Sequence, residues 1–462
     1  MTLDNSNAAV SINPNNGEII DSYPYESASE MDAILTRAQA GFKNWREVEV
    51  DSRASTLLKV AAQFRNLAST MAEMAAKEMG KPIAQGRAEV EKCAALCEWY
   101  AEHGPQMLQP EETLVEDNKA FIAYRPLGAV LAVMPWNFPF WQVMRGAVPI
   151  ILSGNPYVLK HAPNVMGCAY LLQKAWQDAG VPDGVFEVIN VLPSTVSKAI
   201  EDPRIATVAV TGSVKAGSAI AAQAGAALKK CVLELGGADA FIVLADADID
   251  EAVKAAVVGR FQNSGQVCIA AKRIIVEQSI AQEFERKFIV AVSALQVGDP
   301  MDDSTYVGPM ARFDLREELD NQVKATIAEG ADLLLGGKKV AGVGNFYEPT
   351  VLANVVPGMT SFVEELFGPV ASLIIATDAE HALELANDSE FGLAGSICTA
   401  DVEKAKDLAA RMVTGGVFIN GYVATDPRVP VGGVKKSGFG RELSHFGLRE
   451  FCNAQTVWLD RR

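Results

Sequence analysis

Ala129-Val-Leu-Ala-Val-Met134-Pro-Trp-Asn-Phe-Pro139 sets a short apolar run against a turn bounded by two prolines. The run lacks the alternation of a strand with one wet face, and so predicts a strand buried on both sides. Similar runs stand at residues 121–124, 157–159, 186–191 and 207–210. Helical stretches at 165–178 and 196–201 separate them. Strands alternating with helices predict an α/β fold with a parallel sheet and crossovers. The alternation resumes after Val232, with strand-like runs at 240–244, 274–276, 373–375 and 416–419. The tail, 455–459, reads as a strand that pairs elsewhere.

Upstream of this region the pattern is helical. Asp51 is placed to cap a helix whose apolar positions include Leu57, Leu58, Ala61, Phe64, Leu67, Met71 and Met74, with Gly80 and Pro82 ending it. A second helix is expected over 88–100.

Bulk properties narrow the function classes. A chain of 462 residues, 49% hydrophobic, has ample material for a core and exceeds one ordinary domain. Net charge is −16, which argues against nucleic acid as a partner. No apolar run is long enough to span a membrane, so no membrane partner is expected. Residues 1–16 are polar, carry Asp4 and lack the features of a secretory or transit peptide, so the cytoplasm is the expected location. The 7 cysteines are irregularly spaced, which argues against a disulfide framework. Cys93 and Cys97 lie one helical turn apart with no further ligands nearby, and helix packing is expected there; no metal site is read.

Four segments carry chemistry. Cys268 ends Phe261-Gln-Asn-Ser-Gly-Gln-Val-Cys268, where Ser264-Gly265 suits a loop that exposes a thiol. A structural cysteine fits that loop as well. Glu234 closes an apolar strand before Gly236-Gly237, where desolvation would suit a general base acting through water, or where it would simply cap or pair. Asn137, between Pro135 and Pro139, is held where its amide suits an oxyanion, or forms a plain turn. Val210-Thr-Gly-Ser-Val-Lys-Ala-Gly217 is a strand, a glycine turn and a helix start, suited to phosphate but unlike the ordinary dinucleotide glycine pattern.

Together with Lys160, Glu364-Glu-Leu-Phe-Gly-Pro369 and Gly432-Gly-Val-Lys-Lys-Ser-Gly438, these segments resemble the aldehyde dehydrogenase superfamily, in family order along nearly the whole chain. Within it, the chain is most similar to the short bacterial NAD(P)-dependent succinate-semialdehyde dehydrogenases. The resemblance implies Cys268 as nucleophile, forming a thiohemiacetal and then a thioester, Glu234 as the base for the hydrolytic water and Asn137 as oxyanion donor. It implies Lys160 at the adenosine ribose, Ser213 and Gly212 at the pyrophosphate, Glu365 at the nicotinamide ribose, and Phe367 and Trp136 beside the cofactor. The implied domains are a Rossmann-like cofactor domain (1–106 and 127–235), an α/β catalytic domain (236–433) and a small β arm (107–126 and 434–462) that builds homodimers or homotetramers.

The departures bear on specificity. Pro163 stands where NAD-preferring relatives often carry a Glu, so both NAD and NADP are expected as cofactors. His161 replaces a common Pro and is expected to be partly positive near the 2′-phosphate. The segment 191–197 lacks the glycines of many relatives, and Ala270 removes a local disulfide partner for Cys268. The expected substrate is a small anionic aldehyde. Arg145 matches an arginine that binds the substrate carboxylate. Gln262 stands where such enzymes often place a second arginine, and Arg428 is expected to supply the missing cation. The competing readings are another aldehyde (glutarate semialdehyde or a neutral one), a CoA-acylating relative, which has no need of Glu234, and a silent binding scaffold. A Cys–His hydrolase finds no matching signature at His103, His161, His381 or His445.

Overall fold

The computed structural model describes residues 7–116 and 119–459. The Asp4 region and the ends of the expected domains at 1–6 and 460–462 lie outside the described residues, as do 117 and 118 of the expected arm. Among the described residues, two large sheets organise the chain. The first has six strands in the order Gly438–Phe439, Lys230–Glu234, Ile205–Thr211, Ala129–Met134, Tyr157–His161 and Phe186–Val188. They run parallel except for the edge pair, where Gly438 opposes Glu234 antiparallel.

Alternate residues of Ala129–Met134 feed two different cores. Val130, Ala132 and Met134 pack with residues of the helices Val50–Asn66, Ala68–Met79, Ile83–Met107 and Trp141–Leu152. Ala129 and Leu131 pack with residues of Ala28–Trp45 and Pro193–Glu201. Helices on both faces account for the continuous apolar run.

The second sheet has seven strands: Asp332–Leu335, Thr350–Ala353, Val370–Ala376, Ala271–Glu277, Asp239–Val243, Gly395–Cys398 and Val417–Ile419. Only its edge strand, Asp332–Leu335, is antiparallel. The tail strand Cys452–Trp458 pairs with Ala120–Pro126, which also takes Glu111–Glu112, in a separate antiparallel ribbon. No helix among the described residues is long and apolar enough to cross a membrane.

The helical expectations need two corrections. The stretch from Asp51 to Gly80 is two helices, broken at Leu67, whose backbone leaves helical geometry. Asp51 lies in the first turn, and Glu49 takes the cap position without a side-chain bond. An acidic residue there complements the helix dipole rather than capping it. Gly80 ends the second helix with φ 75°, in the left-handed region.

In the first sheet the strand order reverses between Ala129–Met134 and Ile205–Thr211. Open parallel sheets bind ligands beyond the carboxyl ends of their strands at such a reversal. The turn at Trp136 and Asn137 leaves one of these ends, and Gly212-Ser213 leaves the other.

Gly438 holds the edge of this sheet at φ 112°, and a Cβ there would collide with the Leu233 carbonyl. Gly438→Ala should cost about 1–3 kcal/mol of stability through backbone strain and displace the strand that ends in Glu234. Chemical denaturation and steady-state rates would read both effects; wild-type values for the two would show that the edge tolerates a side chain.

Candidate active site

The chain passes from the first sheet to the second through Leu235-Gly-Gly-Ala238, so Glu234 ends one sheet just before Asp239 opens the other. Both glycines serve close approach. A Cβ on Gly236 would collide with the Glu365 carboxylate, and one on Gly237 would stand 2.8 Å from the Cys268 carbonyl oxygen. The Gly237 N–H donates to Glu365 Oε1 at 3.1 Å.

Cys268 follows a strained loop. Asn263 and Ser264 have φ 53° and 55°, and Gly265 has φ 70°. Successive left-handed residues persist only when their surroundings over-determine them. Here the Asn263 N–H donates to Gln85 Oε1 at 2.8 Å, and its Nδ2 donates to the Asn137 carbonyl at 2.7 Å. Ser264 Oγ donates to the Gly308 carbonyl at 3.0 Å. From beneath, the buried Arg260 guanidinium donates to the carbonyls of Gly265, Leu366, Gly368 and Val370. One side chain thus ties the Cys268 loop to the segment that carries Glu365 and Phe367.

The Cys268 thiol is pushed up to about 11 by burial, while Arg145 and Lys272 pull the other way. Burial likewise raises Glu234 to about 8, against the pull of Arg145. Glu234 Oε1 is buried without a hydrogen-bond partner in the protein. Asn137 is buried, donates Nδ2 to the Gln266 carbonyl at 3.0 Å and leaves Oδ1 unpaired. Trp136 and Phe367 meet edge to face, with ring centroids 5.7 Å apart.

A cavity of about 190 Å³ opens beside the thiol, lined among others by Lys92, Trp141, Arg145, Gln262, Cys268 and Thr425. Arg145 is buried and ion-paired with Glu442, yet its Nη2 has no hydrogen-bond partner.

Comparison with known proteins accords with this geometry. Residues 2–457 match the model of the aldehyde dehydrogenase family. The chain belongs to the aldehyde dehydrogenase family. It is 62% identical, over 100% of both chains, to an Escherichia coli (strain K12) protein described as succinate semialdehyde dehydrogenase [NAD(P)+]. It is 43% identical to a Mycobacterium tuberculosis (strain H37Rv) succinate-semialdehyde dehydrogenase [NADP(+)], covering 97% of this chain and 99% of that one. Among solved structures, succinic semialdehyde dehydrogenase from Streptococcus pyogenes with NADP+ superposes with TM-score 0.96 at 34% identity, covering 98% and 100% of the two chains.

The residues singled out in the sequence fall into three groups in this dehydrogenase. Cys268, Glu234, Asn137, Trp136, Glu365 and Phe367 converge where the two sheets meet. Lys160, Pro163, Gly212 and Ser213 follow or end the two strands that flank Ala129–Met134 in the first sheet. Lys160 is buried, its Nζ donates to the His161 carbonyl at 2.8 Å, and burial lowers it to about 8. Pro163 starts a short 3-10 turn. Ser213 caps the helix Val214–Ala226, and, its chain neighbours apart, nothing lies within 4 Å of where a Gly212 Cβ would sit. The third group, Arg145 and Gln262, lines the cavity.

Two expectations are corrected. Arg428 is not on the cavity wall: its side chain is 75% exposed and grips Asp426 with Nε and Nη2. His161 is not positive. It is fully buried, with Nε2 at 2.9 Å from the Pro139 carbonyl, and burial lowers it to about 4.

Sequence reasoning missed three participants. Lys272 Nζ donates to the Cys268 carbonyl at 2.6 Å and to Glu365 Oε1 at 2.9 Å. Its polarity within the strand Ala271–Glu277 is the one cue that could have marked it. Glu442 reaches Arg145 from far along the chain, and Lys92 reaches the cavity from the helix Ile83–Met107.

Arg260→Met should leave several buried carbonyls without donors, at about 1–3 kcal/mol for each that finds no new partner. Thermal melting and kcat should fall together. A melting temperature within about 1 °C of wild type would show that the clamp is dispensable.

Proposed function

We propose that this chain oxidises succinic semialdehyde to succinate with NAD or NADP, through a thiohemiacetal and then a thioester on Cys268. The observation that carries the reading is a cavity lined by Cys268 and Arg145, with the buried Glu234 within electrostatic reach of both. The names of the relatives above support the same substrate and cofactors.

In this reading the first-sheet unit holds the cofactor and the second-sheet unit supplies the nucleophile. The ribbon of 107–126 with the tail would be the oligomerisation arm. Exposed Leu114, Trp458 and Leu459 on it support a homodimer or homotetramer. A cytoplasmic location belongs to the same proposal.

The residues fit a nicotinamide dinucleotide. Ser213 at a helix start and the open backbone at Gly212 suit the pyrophosphate. Lys160 would take the adenosine ribose and Glu365 the nicotinamide ribose, with Trp136 and Phe367 alongside. The nicotinamide, when bound, supplies the hydride acceptor. Pro163 repels neither cofactor by charge, and neutral His161 adds no attraction for a 2′-phosphate.

The chain's own residues do the rest. The Cys268 thiol first loses its proton to solvent; the thiolate sulfur then bonds to the aldehyde carbon, and the oxygen takes the charge where the Asn137 amide can donate. Once the carbon has been oxidised to the thioester, Glu234 takes a proton from water, which attacks that carbon and displaces the thiol. Lys272 holds the Cys268 carbonyl and Glu365 in fixed relation throughout. Arg145 Nη2 is the donor proposed for the substrate carboxylate.

Initial rates of cofactor reduction with succinic semialdehyde and NAD or NADP test the assignment. Turnover in wild type, lost in Cys268→Ala by a factor of 1,000 or more (roughly the scale for a removed nucleophile), is expected. Activity confined to neutral aldehydes would move the substrate assignment elsewhere, and activity surviving in Cys268→Ala would overturn the mechanism.

Glu234 loses its proton as pH rises through about 8, so its base form, and with it thioester hydrolysis, should grow across that range. Glu234→Gln should release roughly one reduced cofactor per site and then stall. Rapid-mixing absorbance would show it; steady turnover without a burst would remove Glu234 from the hydrolytic step.

A further inference from the structure

Arg145 is partly spent on Glu442, which matches its charge. The cavity has a second cation that forms no ion pair among the described residues. Lys92, half-buried on the helix Ile83–Met107, lines the same cavity as Cys268. Its Nζ donates to Thr425 Oγ1 at 2.7 Å and lies 4.1 Å from the centre of the Trp141 ring. Both Thr425 and Trp141 line the cavity as well.

Among the described residues, no carboxylate pairs with Lys92. The nearby acids are committed elsewhere. Glu89 is paired with Lys81 and accepts the N–H groups of Phe140 and Trp141, each at 2.8 Å. Asp426 is held by Arg428. An ammonium has three donors, and Thr425 takes one. The other two are not used by any hydrogen bond to the protein, on the wall of a cavity that ends at the nucleophile.

We propose that Lys92 is the second cation of the substrate pocket, receiving the carboxylate of a short carboxy-aldehyde whose carbonyl carbon lies at Cys268. The proposal rests on the reading of Cys268 as an aldehyde-oxidising nucleophile. It replaces Arg428, the cation expected from sequence, with one from a different element. Thr425 and the Trp141 face act as positioning groups. They hold the ammonium toward the cavity without cancelling its charge.

The charge is sensitive to pH. Burial lowers the Lys92 ammonium to about 8, with Cys93, Glu89 and Asp426 opposing that shift and Arg145 adding to it. The cation is therefore present at neutral pH and is lost as pH rises through about 8.

The test uses the whole enzyme with saturating NAD or NADP. The quantity is kcat/KM for succinic semialdehyde divided by kcat/KM for butanal, in wild type, Lys92→Met and Lys92→Arg. Effects on the thiol or on Glu234 enter both substrates and cancel in the ratio. Lys92→Met should lower the ratio about 10- to 100-fold, the range of one charge-assisted hydrogen bond, chiefly through KM for the anionic substrate. Lys92→Arg should restore most of it. In wild type the ratio should fall as pH rises through about 8, and in Lys92→Arg it should stay level. A ratio unchanged in Lys92→Met, equal losses on both substrates, or a level wild-type pH profile overturns the proposal. A wild type that oxidises butanal but not succinic semialdehyde fails the parent reading instead, since the substrate is then not anionic.

Discussion

The buried guanidinium of Arg260, which no carboxylate pairs among the described residues, is the constraint on which the site depends. It spends its donors on main-chain carbonyls from two segments, the loop before Cys268 and the stretch from Leu366 to Val370. Burial lowers it to about 9, so it stays charged at neutral pH. A buried cation satisfied only by backbone is costly unless every donor is used. That cost is offset here by what it aligns. The strained Asn263-Ser264-Gly265 turn has no regular hydrogen-bond ladder to hold it, and Arg260 supplies one anchor while Gln85 and Gly308 supply others.

A second arginine does similar work at the crossing between the sheets. Arg273 Nε donates to the Ala238 carbonyl at 2.8 Å, and its other nitrogens donate to the carbonyls of Leu385 and Ala386. The crossing is thus held at its far end by Arg273 and at its near end by strand pairing of Glu234 with Gly438. Between these anchors, the two glycines let Glu365 and the Cys268 carbonyl approach the backbone itself. Glu234, the Cys268 loop and Glu365 are therefore positioned by one short segment.

How much of this was legible in the sequence depends on the range of the interaction. Strands such as Ala129–Met134 announced themselves because burial on both faces demands an unbroken apolar run. Cys268, Glu234 and Asn137 stood out because glycines or prolines sit beside them, and those residues reflect local backbone demands. Partners supplied from elsewhere left no such trace. Glu442 and Arg145 are far apart in the chain, and neither segment hints at the other. Arg428 illustrates the reverse error: position alone suggested a pocket cation, but Asp426 two residues earlier offered a nearer partner. His161 was misjudged because its burial behind Met134 and Pro139 is a property of the packed sheet, not of its neighbours in sequence. The break at Leu67 is similar, since the apolar spacing runs through it and only the backbone reveals two helices.

The electrostatic arrangement of the enclosure follows from these positions. The chain carries a net charge of −16, yet the groups facing the thiol include Arg145 and Lys272. Each is largely matched, Arg145 by Glu442 and Lys272 by Glu365. The enclosure therefore leaves Cys268 and Glu234 mostly protonated at neutral pH, with values pushed up to about 11 and about 8. A resting thiol and a resting carboxyl, both uncharged, avoid the mutual repulsion of two anions within electrostatic reach of each other. Any anion entering such a site must bring or find its own counter-charge. The bulk negative charge cannot provide it, and a matched ion pair provides it only in part. Local placement of cations, rather than the overall charge of the protein, is what makes an acidic aldehyde a plausible guest in an acidic protein.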